Sequence, residues 1–374
     1  MKKIDNCYVN ITDNDIEYIN VSIKDKMISG KGPYTPLFEE KLANYFGTNH
    51  SLTCSNATLG ILMILMLLEV KEGDEVILPA TAPIMSVLPI ISLKAKPVFV
   101  DNEENSFNLC IKDLSKKISK KTKLLINVPM WGYANNIDEI AQICNLNDVK
   151  VLEDNSHCHG SKLNDSYLGC FGDYSVFSTH ERKLITTGEG GFLLINNEVD
   201  YLKLKEIRSF GEAYSIKSTH EQYGGYGLFL GLNFKLSSIN SAIGITQLDK
   251  LEWKIKKRTE NANYIKTNIL KISSKISEIK TLDNSINNYY SLALLVPEKD
   301  KNEIENLLMQ QNIISDPLRY KYCPLYNLPI VSNTNKDCYN SEKLIDQIFT
   351  LPTHEGLDIM DLDTMIDVIK KYYA

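Results

Sequence analysis

Apolar residues recur along the chain in two rhythms, and each rhythm predicts an element. Over residues 36–46, Leu37, Phe38, Leu42, Tyr45 and Phe46 fall on one helical face, and Gly47 is a natural stop. After Ser55-Asn56-Ala57-Thr58 an apolar run continues to Leu68, and a helix apolar all round is expected to be buried. Short apolar runs at residues 76–78, 98–100, 124–126, 149–152 and 192–195 read as strands. Helical patterns lie between several of them, such as residues 137–146 with Ile140, Ala141 and Cys144. Strand alternating with helix predicts an α/β fold, a mainly parallel central sheet sandwiched by helices. Ligands in such sheets sit at the carboxyl ends of strands, and no G-x-G-x-x-G follows any strand here, which argues against a dinucleotide site.

From Ser237 the pattern predicts one long helix to about residue 270, apolar at Ile243, Ile245, Leu248 and Leu251 and charged over 253–258. A strand at 289–296 and helices at 301–310 and 362–372 follow, as in a smaller α+β domain. The boundary is set near the start of the long helix, giving a large domain of residues 1–240 and a small C-terminal domain of residues 241–374. Residues 206–230, with Tyr214, Tyr223, Gly224, Gly225 and Tyr226, read as a covering loop.

Bulk properties narrow the function. The 374 residues are 43% hydrophobic and 24% charged, an ordinary globular balance. A net charge of −6 argues against nucleic acid and membrane surfaces, which require a basic face. Met1-Lys2-Lys3 leads into Ile4-Asp5-Asn6, so no signal peptide is expected, and the longest apolar run, residues 59–68, is too short to span a bilayer. A cytoplasmic protein is the expectation. The eight cysteines lack C-x-x-C spacing, so they read as reduced, small hydrophobes and not as metal ligands.

Candidate chemistry concentrates in residues 151–195. Glu153-Asp154 closes an apolar run, Ser178 stands five residues before the lone Lys183, and Gly188-Glu189-Gly190-Gly191 follows. An amine, a strand-end carboxylate and a hydroxyl beside a glycine turn suit a covalently held aldehyde cofactor. Ser55 to Thr58 at the start of the buried helix offer either an anion site or an ordinary cap by Ser55 or Asn56. His157 and His159 would share one side of a strand, which raises a metal site as a competing thought, but two histidines without a third ligand support it weakly.

The blocks 153–160, Gly172-Asp173 and Phe177-Ser178 through Lys183 to Gly191 resemble the signature of the DegT/StrS family, sugar aminotransferases of pyridoxal-phosphate fold type I. The resemblance covers nearly the whole chain, through Gly32-Pro33-Tyr34, Gly73-Asp74-Glu75, Trp131-Gly132-Tyr133, Gly231-Leu232-Asn233-Phe234, Gln247-Leu248 and Leu351-Pro352 in family order. It implies pyridoxal 5′-phosphate (PLP) as cofactor and a role for each matched residue. Lys183 would carry the cofactor as a Schiff base and then shuttle the proton. Asp154 would keep the pyridinium nitrogen protonated, and His157 would stack on the ring. Ala57, Thr58 and Ser178 would hold the phosphate, with Asn233 reaching it from the neighbouring subunit of a homodimer with shared active sites. His159 is expected to be buried and hydrogen-bonded.

The resemblance further implies amino transfer from an amino acid, L-glutamate by expectation, to a keto group on a nucleotide-activated deoxysugar. Two departures concern the substrate side. Pro83 stands where the family has an aromatic, and Asn-Tyr-Arg reads Asn233-Phe234-Lys235, a point charge in place of a planar fork. They leave open a cyclitol or another small ketone as acceptor. A PLP-dependent sugar dehydratase of the same fold is disfavoured, because histidine replaces the lysine there and Lys183 is present. Tyr223, Tyr226, Arg319, Tyr320 and Tyr322 are candidate substrate contacts from the family's fold.

Overall fold

Between residues 13 and 195 strands and helices alternate as the apolar rhythm requires. The computed structural model describes residues 3–212, 229–331 and 334–374. The chain opens with α1 (Asp13–Lys24) and α2 (Tyr34–Phe46), then β1 (His50–Cys54), α3 (Ala57–Leu67), β2 (Glu75–Pro79), α4 (Ile84–Ser92) and β3 (Lys96–Val100). It continues through α5 (Ile111–Lys117), β4 (Thr122–Asn127), α6 (Ile137–Leu146), β5 (Lys150–Asp154) and a small hairpin, β6 (Lys162–Leu163) and β7 (Ser166–Tyr167). Strands β8 (Tyr174–Ser178) and β9 (Gly191–Ile195) complete the central sheet, followed by α7 (Glu198–Arg208), α8 (Ser238–Asp249) and α9 (Leu251–Ile269).

The remainder comprises β10 (Ser277–Glu278), β11 (Ser285–Ile286), β12 (Leu292–Leu295), α10 (Glu298–Gln310), α11 (Asp316–Arg319), α12 (Tyr339–Gln347), β13 (Ile348–Leu351) and α13 (Ile359–Tyr373). The seven-stranded sheet has the order β1-β9-β8-β5-β4-β2-β3, and β10, β12 and β13 form a second, three-stranded sheet. Pairing is parallel from β3 to β8, and β9 runs antiparallel to both its neighbours.

Period-two alternation sorts the strand residues into two cores. Val76, Leu78, Leu124, Ile126 and Leu152 join the larger core with Ile61 and Ile64 of α3 and Val87 and Ile90 of α4. Ile77, Leu125 and Val151 point the other way, against Leu114 of α5 and Ile137, Ile140 and Cys144 of α6. The strands at 50–54 and 174–178 add to the five read from the sequence.

Some boundaries move. The helix expected over 237–270 is two helices sharing Lys250 as the cap between them. Lys250 Nζ donates to Asp15 Oδ2 at 2.7 Å and to the Asn10 carbonyl at 3.0 Å, drawn toward the N-terminal segment. The division at 240/241 falls inside α8, which packs on α1 and α2. The strand expected over 289–296 is regular only over Leu292–Leu295. Of the loop expected over 206–230, residues 206–208 end α7; Tyr214, Tyr223, Gly224, Gly225 and Tyr226 lie outside the described residues.

The end of β5 carries two carboxylates on opposite faces. Glu153 is fully buried and accepts the N–H groups of Gly169, Phe171 and Gly172 at 2.8, 2.9 and 2.8 Å, together with Asn155 Nδ2 at 3.1 Å. It organises the turn that leads into β8. Glu153→Ala, which strips partners from three backbone donors, is expected to lower the unfolding free energy by about 3 kcal/mol. Chemical denaturation of the cofactor-free chain checks this; a loss below about 0.5 kcal/mol would show that the turn holds without it.

Candidate active site

Lys183 sits in a loop between β8 and β9 whose base is tied shut. The Thr179 N–H donates to the Gly190 carbonyl at 2.9 Å and the Thr187 N–H to the Thr179 carbonyl at 2.8 Å, while their hydroxyls meet at 2.7 Å. Further out, the Glu181 N–H donates to the Gly188 carbonyl at 2.8 Å. Gly188 adopts φ +83°, a left-handed conformation that favours glycine. From beneath, the buried Lys254 of α9 donates to the Leu184 carbonyl and to Gln247 Oε1, each at 2.6 Å.

The Lys183 amine has no ion-pair partner among the described residues; its Nζ lies 5.1 Å from the Tyr290 ring centroid. Burial pushes its pKa down to about 8, opposed by the charges of Asp154 and Asp316. The free amine is therefore accessible near neutral pH.

Asp154 lies at the carboxyl end of β5, 4% exposed. Ser86 Oγ donates to its Oδ2 at 2.8 Å, and Ser156 Oγ to its Oδ1 at 2.6 Å. Ser156 Oγ also accepts the Ser178 N–H at 3.2 Å, which joins the ends of β5 and β8. The sequence did not single out Ser86 or Ser156. Only the crossing of α4 over the strand end brings Ser86 near.

His157 and His159 lie in consecutive turns after β5 and not on a strand, and their rings go to different neighbours. His157 stacks on Tyr290 at 4.4 Å and 11°, and its Nδ1 accepts the Trp131 N–H at 3.3 Å. Burial and the Lys183 charge depress its pKa well below the usual value, so the ring is neutral. Two groups hold this stack from behind. Arg258, paired with Glu355 at 3.0 Å, donates to the Tyr290 carbonyl at 3.1 Å, and Asn288 Nδ2 donates to the His157 carbonyl at 3.0 Å.

His159 is fully buried beside Phe177 and Phe192, and among the described residues the Ser178 backbone is the polar group that supports its charged form, without a well-aligned hydrogen bond. Burial lowers its pKa to about 3, against the weaker support of the Ser178 backbone.

Helix α3 begins where Cys54, Gly191 and Ser178 stand in register across β1, β9 and β8. Asn56 is the cap, its Oδ1 accepting the Leu59 N–H at 2.9 Å. The Ala57 and Thr58 N–H groups donate to no described residue, as expected of a first helical turn. A Cβ on Gly191 would fall 2.8 Å from Ala57 N, so only glycine lets β9 run beside this helix start. A cap and an anion site are compatible here: Asn56 caps, and the Ala57 and Thr58 N–H groups remain available as donors.

These groups fit PLP: an anion cradle at α3, a braced carboxylate at β5, a flat neutral ring and an amine of lowered pKa. Asn233 is exposed, and its backbone bridges Ser209. Lys235 Nζ sits 4.2 Å over the Phe210 ring. Of the candidate substrate contacts, Arg319 Nη1 donates to Asp5 at 3.1 Å, and the Tyr320 hydroxyl accepts Arg182 Nη1 at 2.7 Å. The Tyr322 hydroxyl donates to the Thr81 carbonyl, while Tyr223 and Tyr226 lie outside the described residues.

Comparison with known proteins agrees with this geometry. Residues 9–370 match the DegT/DnrJ/EryC1/StrS aminotransferase family. The chain is 29% identical over 375 residues to a GDP-perosamine synthase of Escherichia coli O157:H7, covering 100% of each. It is 31% identical over 268 residues to a GDP-4-keto-6-deoxy-D-mannose 3-dehydratase of Escherichia coli O55:H7, covering 67% of this chain and 69% of that one. The fold matches the crystal structure of the aminotransferase TlmJ from Streptoalloteichus hindustanus with a TM-score of 0.92 at 20% identity, over 99% of both chains. The chain belongs to the DegT/DnrJ/EryC1/StrS aminotransferase family and is a PLP-dependent transferase.

Proposed function

We propose that this enzyme moves an amino group from L-glutamate to the keto group of a nucleotide-activated deoxysugar, as a homodimer with shared active sites. The observation that carries the reading is Lys183, an amine of lowered pKa at the tip of a tied loop, in the electrostatic field of Asp154. The GDP-perosamine synthase, matched over the full length of both chains, supports the nucleotide-linked acceptor. Eight free cysteines suit a reducing cytoplasm. The relative named as a dehydratase raises a second reading, and Lys183 weighs against it.

When bound, PLP supplies an electron sink for the carbon that loses its proton. The chain's residues do the rest. Lys183 Nζ would hold the cofactor and, once displaced by the incoming amine, take the proton from the substrate's α-carbon. Asp154 would hold a proton at the ring nitrogen, its oxygens kept in place by Ser86 and Ser156. His157, backed by Tyr290, would lie flat against the ring. The Ala57 and Thr58 N–H groups and the Ser178 hydroxyl would bind the phosphate, and Asn233 of the second subunit would complete that shell. The cyclitol alternative predicts the same first half-reaction with a different acceptor.

Visible spectroscopy tests the scheme. The PLP-loaded protein is expected to be yellow, to bleach with glutamate and to regain colour with a nucleotide keto-sugar; Lys183→Ala loses the band. Colour restored only by a cyclitol ketone moves the acceptor, and a protein colourless with PLP removes the cofactor roles altogether.

The lowered Lys183 pKa has a kinetic signature. Free amine captures an aldehyde and ammonium does not, so PLP capture by the cofactor-free chain should accelerate as pH rises, levelling off above about 8. Stopped-flow absorbance reads this directly; a midpoint near 10 would mean the nitrogen is solvated.

Shared sites predict complementation. Lys183→Ala and Asn233→Ala chains, each impaired alone at limiting PLP, should regain activity when unfolded and refolded together. One site in the mixed dimer then has both residues intact. No recovery would place Asn233 outside the neighbour's site.

A further inference from the structure

We propose that Asp316 is a positioning residue for Lys183, a second carboxylate that holds the proton on the lysine nitrogen while Asp154 serves the cofactor ring. The proposal rests on the PLP reading above and adds to it a residue from the C-terminal part of the chain.

Asp316 opens α11 and is 3% exposed. Its carboxylate is fixed from two sides: Trp131 Nε1 donates to Oδ2 at 3.2 Å, and Asn6 Nδ2 donates to Oδ1. Its own N–H donates to Thr350 Oγ1 at 3.0 Å. Trp131 also gives its backbone N–H to His157, and His157 stacks on the same Tyr290 ring over which Lys183 Nζ sits. Asp316 and Lys183 therefore stand at the two ends of one chain of contacts that runs through Trp131, His157 and Tyr290.

Electrostatics point the same way from both partners. Burial raises the Asp316 pKa to about 6, and Lys183 is the charge that most opposes the rise. Reciprocally, Asp316 follows Asp154 as the charge that most supports the proton on Lys183. Arg182 disfavours the Lys183 proton and, with Arg319, favours the charged form of Asp316. His157 and His159 are held neutral by burial, and burial keeps the Cys158 thiol and the Tyr290 and Tyr320 hydroxyls protonated. Among the described residues, Asp154 and Asp316 are the carboxylates that most support the lysine's proton. Above pH 6 Asp316 is charged and its support is present; below that it takes up a proton and the support is lost.

The test is a pH titration of the visible band of the PLP-loaded enzyme, beside thermal unfolding of the same samples. Asp316→Asn keeps the shape and an acceptor for Trp131 but removes the charge. Its midpoint for loss of the Lys183 proton should fall by about one pH unit, a tenfold change in proton affinity. Asp316→Glu, which keeps the charge, should restore most of the wild-type midpoint. Trp131→Phe takes one donor from Asp316 without touching the carboxylate, and should shift the midpoint the same way by less; it decides the matter if Asp316→Asn does not fold. A yellow Asp316→Asn enzyme with an unmoved midpoint overturns the proposal, however much stability it has lost, and leaves the PLP reading standing. A wild type that stays colourless with PLP removes both.

Discussion

A strand turns successive side chains to opposite faces, and at the end of β5 this alternation gives adjacent carboxylates separate duties. Glu153 points into the protein and spends its oxygens on three backbone donors of the turn toward β8. Asp154 points into the site, where two serine hydroxyls hold it. A slip of one residue in the β5 register would turn Asp154 away from Ser86 and bring Glu153 to that face instead. The register is secured by parallel pairing with β4 on one side and β8 on the other. Ser178 inherits its position from the same pairing, because β8 aligns Val176 with Asp154.

Burial gives the site its chemistry. Removing water from Lys183, His157 and Asp316 moves each toward its neutral form: the amine and imidazole pKa values go down and the carboxyl goes up. In the proposed reaction Lys183 would alternate between amine and ammonium, and a pKa of about 8 keeps both forms within reach. The role proposed for His157 calls for a flat, uncharged ring, and burial keeps it neutral with Nδ1 acting as acceptor. The cost falls on stability, because each of these groups gives up hydration that its polar contacts only partly replace.

The groups legible in the sequence are those whose spacing along the chain carries the signal. Asp154, Ser178, Lys183 and the glycine turn fall within forty residues and on or between adjacent strands, so spacing drew attention to them and the family resemblance supplied their expected roles. The bracing groups were hidden because they come from far away: Ser86 is 68 residues from Asp154, Asn288 is 131 from His157, and Trp131 is 185 from Asp316. No local pattern encodes such meetings. The break between α8 and α9 was masked for a related reason. The apolar stripe runs through Lys250 without interruption, and what turns the chain there is joined by Asp15 and Asn10, more than 230 residues upstream.

The departures at Pro83 and Lys235 were both placed on the substrate side from the sequence, but the structure gives them different surroundings. Pro83 caps α4 in an extended conformation, φ −75° and ψ 157°, a position where a missing N–H costs the helix nothing. Its carbonyl accepts the Ser86 N–H at 3.0 Å, and the Ser86 hydroxyl holds Asp154. A residue that departs from the family pattern thus sets the start of the helix that orients the strand-end carboxylate. The same loop is tied at Thr81 by the Tyr322 hydroxyl, and Tyr322 packs edge-on against Trp131 at 5.3 Å. Aromatic surface absent from position 83 is therefore present beside the loop, contributed by the C-terminal part of the chain and by the segment after β4. Proline at the cap and tyrosine on the loop belong to one arrangement: the first fixes where α4 begins, and the second ties the residues just before it to the aromatic pair with Trp131.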